Sequence, residues 1–298
     1  MTSDAKRIPQ LEKSKRDDDR RDARWKTALQ DPGLLIGGSI IAVFFVLAVC
    51  GWLGWTPYPV VEQNPLSRLT PPSQEFRFGT DQFGRDVLSR VMKGTANSLQ
   101  VALLSVALSA SVGTLIGAVS GYVGGWLDTL LMRLMDVLFA FPGLLLALLV
   151  VTILGTGLEN TIFAIAVVYT PIFARVARGP VLSVKEQEYV LAARCLGEHG
   201  PAILWRHVLP NIAGVMTVQV TLALSWALIT EAGLSFLGLG TQQPEPSLGL
   251  MLSSNRALAE IAPWLIVFPG LAIMLMVLGF NLLGDGLRDA FDPRNRRA

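Results

Sequence analysis

Six apolar runs, each long enough to cross a bilayer, constrain this chain more than any other feature. A spanning helix needs about 20 predominantly apolar residues. Runs of that kind occupy 34–55, 98–123, 129–153, 161–178, 212–239 and 263–284. They are continuous rather than alternating, so they spell helices and not strands. Backbone groups in hydrocarbon must be satisfied within the protein, which helices do segment by segment. The expected fold class is therefore an all-α polytopic membrane protein with six transmembrane helices. Charge agrees with this. Only 16% of residues are charged, against roughly 25% in soluble domains. Residues 1–31 hold nine Lys/Arg and seven Asp/Glu, whereas 98–127 hold none.

Six spans place both termini on one side, and basic residues choose the side. The N-terminal tail carries those nine basic residues, the stretch 175–211 carries five, and the C-terminal tail carries Arg288, Arg294, Arg296 and Arg297. These three regions are expected to be cytoplasmic. Opposite them, 154–160 has no Lys/Arg and 240–262 has only Arg256. The segment 56–97 dissents mildly, with five. The organisation read from this is a cytoplasmic tail (1–33), a first helix (34–55), an extracytoplasmic segment (56–97), a five-helix core (98–284) and a cytoplasmic tail (285–298). The first tail mixes both signs densely and reads as solvated. Its acids nearly cancel its bases, so nucleic acid is not an expected partner.

The core is interrupted at 179–211 by a polar insert. Glu186, Glu188, Arg194 and Glu198 alternate there with Tyr189, Val190, Ala192, Ala193 and Leu196, the pattern of a short amphipathic helix with a small-residue face. Gly197 permits a helix end, and Pro201 suits the first turn of a second helix. Leu209-Pro210-Asn211 reads as a break before the fifth span. An exposed small and apolar face on such an elbow calls for a partner groove.

Ala192, Ala193, Gly197, Ile203, Leu209 and Pro210 match the cytoplasmic-loop signature of ABC importer permeases, which the chain resembles. Leu191 stands where that signature carries Glu, and Glu188 offers a carboxylate one turn earlier. Phe78–Arg90, Leu234–Gly240 and Phe280–Asp289 resemble landmarks of the dipeptide/oligopeptide permease family, and Asp136–Gly143 resembles glutathione and peptide permeases. The resemblance implies a type I ABC importer permease core with an added N-terminal helix, in the bacterial inner membrane. It implies a sister permease, two ATP-binding subunits holding ATP and Mg, and an extracytoplasmic solute-binding protein. Residues 188–211, with Glu188, would form the loop that couples to the ATPases.

Other residues carry smaller expectations. Gly113, Gly117 and Gly121 form a small-residue face for close helix contact. Glu231, late in the fifth span, is a candidate for the substrate path, weighed against a buried structural acid. Arg133 and Asp136 stand three apart and can pair on one helix face. Pro142 and Pro171 are candidate kinks. His199 and His207 lack companions at metal-ligand spacing, so no metal site is expected. No GxxxxGK[ST] loop and no nucleophile–base motif occurs in the sequence, so neither ATP hydrolysis nor other catalysis is expected of this chain. A secondary transporter or channel without an ATPase partner is the alternative.

Overall fold

The computed structural model describes residues 31–291. Most of the expected N-terminal tail and the last residues of the C-terminal tail lie outside them. Ten helices follow one another, and five of them are long and apolar enough to cross a membrane, or six spans if one bent pair is counted.

Helix α1 (Pro32–Leu53) opens on Asp31, whose carboxylate accepts the Leu34 N–H at 2.9 Å. Such a cap satisfies one of the amides that a helix start leaves unpaired. α1 closes on Gly54 in the left-handed region. The segment 54–86 then leads to α2 (Val87–Val123), capped by Asp86 through the Ser89 N–H at 2.8 Å. α2 starts well before residue 98, where its apolar run begins. Its polar first turns are buried instead, including Arg90, Asn97 and Ser98. Asp81 organises this end. Its carboxylate accepts the amides of Phe83 and Arg85 and the Arg85 Nε at 2.7 Å, with Arg90 Nε at 3.7 Å. Trp264 Nε1 donates to Thr80 O at 3.2 Å, and Phe78 stacks on Phe268 at 3.9 Å.

The third run is not one straight helix. It divides into α3 (Gly125–Phe139) and α4 (Gly143–Leu154), which meet at 90°. Pro142 has no N–H to continue α3, and it disfavours helical geometry at Phe141. Helix α5 (Leu158–Val184) returns with Pro171 and Pro180 inside it. The insert supplies α6 (Glu188–Cys195) and α7 (Gly200–Ile203). The expected break at Leu209-Pro210-Asn211 does not occur. A π-turn over Leu204–Val208 leads straight into α8 (Leu209–Phe236), so Gly200–Phe236 is one helical rod of 37 residues. The wider turn pairs Leu209 N–H with Leu204 O. That absorbs the proline, whose ring would crowd the carbonyl four residues back. The chain ends in α9 (Leu248–Ser254) and α10 (Trp264–Phe291).

Glycines set the packing. A Cβ on Gly113 or Gly117 would run into the Thr170 and Ala174 carbonyls of α5, and one on Gly121 would meet Arg178 O and Val181. The small-residue face therefore seats α2 on α5 of the same chain. Gly37 and Gly279 similarly let α1 approach α10, and Gly51 lies on the Met92 backbone of α2. Such backbone approach is the usual basis of helix association where solvent supplies no hydrophobic drive.

Candidate coupling elbow and intramembrane groove

The insert folds into a rigid elbow. Gly197 takes φ +85°, a conformation that L side chains rarely adopt, and turns the chain from α6 towards α7. Glu198 then clamps the corner. One carboxylate oxygen lies 2.9 Å from His207 Nε2, and the other lies 3.6 Å from Arg206 Nη1. Gly200 packs near the Tyr122 ring at the end of α2, and Arg194 lies over that ring at 5.8 Å. Lys185 donates to Gly121 O at 2.8 Å.

The signature residues separate into two sets. Ala193 and Ile203 are buried, with Val190, Leu204 and Val208 beside them. These anchor the elbow to the bundle. Glu188, Ala192, Gly197 and Pro210 are exposed, and Leu209 is half-buried. The exposed side also presents Tyr189, Leu191, Leu196 (88% exposed) and Trp205 (65% exposed). Leu196 belongs to the amphipathic pattern read from the sequence, whereas Trp205 carries no expectation there. A large apolar side chain in a polar insert was the available signal. Leu191, in place of an acid, extends this apolar surface.

A second feature lies at the α3–α4 break. A groove of about 490 Å³ opens between that break, α5 and α8, lined by Phe139, Phe141, Tyr169, Gln219 and Trp226 among others. No charged side chain lines it. Tyr169 shares a hydrogen bond with Thr230 at 3.1 Å, leaving Gln219 as the other polar group. At one edge Arg175 binds Asp136 at 2.7 Å and lies 4.1 Å above the Phe139 ring. The expected Arg133–Asp136 pair is thus replaced by an interhelical one, because Arg175 on α5 reaches the same carboxylate. Further along α3, Arg178 grips Asp128 in bidentate fashion at 2.7 and 2.6 Å, and Ser120 also donates to Asp128.

Glu231 is 1% exposed, lies outside the groove lining, and accepts the Ser235 hydroxyl at 2.7 Å. Its other carboxylate oxygen has no partner among the described residues. No cluster of metal-ligating side chains occurs among the described residues.

A multi-helix bundle of membrane-spanning length, with an uncharged groove between its helices and a polar elbow, is the architecture of a membrane transport protein. Residues 113–297 match the family described as binding-protein-dependent transport system inner membrane component, and the chain belongs to that family. It is a permease subunit of an ABC importer. The dipeptide transport system permease protein DppC of Alkalihalophilus pseudofirmus is 45% identical over 87% of this chain and 85% of its own length. The glutathione transport system permease protein GsiD of Salmonella typhimurium is 47% identical over 89% of this chain and 87% of its own. A structure of the MetNI methionine ABC transporter in an inward-facing conformation shares the fold, with a TM-score of 0.57 at 16% identity. It covers 68% of this chain and 96% of the other.

Proposed function

We propose that this chain forms one half of a permease pair importing short peptides across the bacterial inner membrane, with both termini and the elbow in the cytoplasm. The observation that carries this is the continuity of the elbow with α8. The exposed apolar side chains Tyr189 and Leu191 lie on α6, Leu196 lies at its end, and Trp205 lies on the rod Gly200–Phe236, whose far part lines the groove at Gln219 and Trp226. A partner subunit that moves this face moves a groove wall directly. Two ATP-binding subunits, holding ATP and Mg, would seat the elbow, and a solute-binding protein would deliver substrate from outside. The names of the relatives favour peptides, glutathione being a tripeptide.

The test is Leu196→Asp in the co-expressed complex, reconstituted in proteoliposomes. Burying a carboxylate in an apolar docking site is expensive, so at least a tenfold loss of co-purified ATPase and of dipeptide or glutathione uptake is expected. Full uptake by this variant would remove the elbow from the coupling path.

A further inference from the structure

Glu231 is 1% exposed near the end of α8, and no ion pair reaches it among the described residues. Ser235, one turn on, donates to one carboxylate oxygen at 2.7 Å, while Oε2 forms no hydrogen bond among the described residues. Two further hydroxyls lie beside the same carboxylate, Ser98 on α2 and Ser247 just before α9. Each accepts a backbone amide only at long range, Ser98 Oγ from Leu248 N at 3.4 Å and Ser247 Oγ from Leu250 N at 3.3 Å. Their lone pairs are therefore weakly engaged. All three serines are fully buried. Gly240 packs against Ser235, and next to it in sequence the Thr241 hydroxyl is buried without a hydrogen bond among the described residues.

A buried carboxylate with no positive partner is among the most expensive groups a membrane helix can carry. A water would bring hydrogen bonds to it but no charge. A proton would neutralise it through one oxygen and leave the hydroxyls as they are. Carboxylate and hydroxyl oxygens converging from three elements are instead the donor set of a hard cation. One carboxylate balances one positive charge. The set has none of the His, Cys or multiple-acid grouping that holds a transition metal. It also lies close to the surface of the protein. Asn97, the neighbour of Ser98, donates to Pro246 O at 2.7 Å and to Glu245 Oε2 at 3.4 Å, and the Glu245 side chain is 52% exposed.

We propose that Glu231, with Ser98, Ser235 and Ser247, binds a single sodium ion. The ion joins α2, α8 and the segment that leads into α9 at one point. Because α8 is also the groove wall that carries Trp226, occupancy steadies that wall near one end.

The experiment uses the full chain purified in its co-expressed complex, with sodium chloride compared against equimolar choline chloride. The thermal midpoint of the parent is expected to be about 3 °C or more higher in sodium. The parent is also expected to bind radioactive sodium that unlabelled sodium displaces and choline does not. Glu231→Gln keeps the shape of the side chain without its charge, and both responses are expected to vanish. Ser98→Ala is expected to weaken sodium binding at least tenfold, which decides the matter if the glutamine variant is not recovered. Absence of displaceable sodium from the parent overturns the inference. So does binding that persists at the parent level in Glu231→Gln, which puts the ion elsewhere in the complex. A midpoint that moves with pH but not with sodium overturns it as well, and leaves Glu231 holding a proton.

Discussion

Adjacent glycines on α1 do different work. A Cβ on Gly37 would lie 2.6 Å from Leu283 N and 2.8 Å from Gly279 O, both backbone atoms of α10. One on Gly38 would meet nothing nearer than the Leu283 methyl at 3.9 Å. Within a helix both positions would gain about 1 kcal/mol from alanine on propensity alone. At Gly37 that gain is outweighed by overpacking, which costs about 1–3 kcal/mol. Gly37→Ala should therefore lower the thermal midpoint of the detergent-solubilised protein, while Gly38→Ala should leave it level or raise it. A scan of both variants under one condition checks the sign. The same reasoning shows why the Gly113, Gly117 and Gly121 face was readable from the sequence and its partner was not. Spacing by four announces a close contact, but the helix that fills it is chosen by how the bundle closes. The contact proves to be with α5 around Thr170, Ala174 and Val181.

At the level of elements, one carboxylate ties the corner of an elbow that buried Val190, Ala193, Ile203 and Val208 anchor to the bundle. Glu198 bridges to His207 and Arg206 on the helix that follows, and all three side chains are partly exposed. Ion pairs of that exposure contribute roughly 0.2–1 kcal/mol, too little to govern folding. They do fix the angle between α6 and the rod. Glu198→Ala should consequently keep normal expression and ATPase co-purification, while solute uptake per ATP hydrolysed falls several-fold, with Glu198→Gln between the two. Uptake per ATP at the parent level would assign the angle to Gly197 alone. The helix–glycine–helix form of this insert was legible because its residues alternate and its punctuation is strong. Two neighbouring elements were not. Hydropathy reports transfer out of water and carries no direction, so the run 129–153 concealed a 90° bend. Its trace was the Phe141-Pro142-Gly143 triplet within it. Leu209-Pro210 misled in the opposite way. Proline forbids an ordinary turn, but the π-turn Leu204–Val208 just before it restores the helix without a stop.

Across the whole molecule, the bundle divides into tightly seated and loosely seated parts. α2 and α5 are joined through three glycines, and α1 and α10 through Gly37, Gly279 and Gly286. α3 is different: only Met135 is buried along it, and ion pairs rather than interdigitation hold it to α5. The groove opens where this loosely seated helix bends, facing α5 and α8. Asp81, Arg85 and Arg90, before and at the start of α2, are charged residues in a polar stretch of sequence, yet all are less than a tenth exposed. They show how a loop can be folded into a cap that hydropathy does not register. Packing of this kind puts the groove, not the helix seams, at the loosely seated part of the bundle, and under the proposed function its walls are the ones that would move. Gln219 is half-buried on the α8 wall and forms no clamp with its neighbours. Replacing it by a bulkier side chain fills the space without entering a glycine seam. Gln219→Trp should therefore abolish most solute uptake, by tenfold or more, while the ATP-binding subunits still co-purify and basal hydrolysis persists. Gln219→Ala should retain uptake within about threefold, since a single neutral hydrogen bond contributes about 1 kcal/mol. The paired measurement is uptake and ATP hydrolysis in the same proteoliposomes. Parent-level uptake in Gln219→Trp would place the solute path elsewhere in the complex, because the added indole intrudes on that wall of the groove.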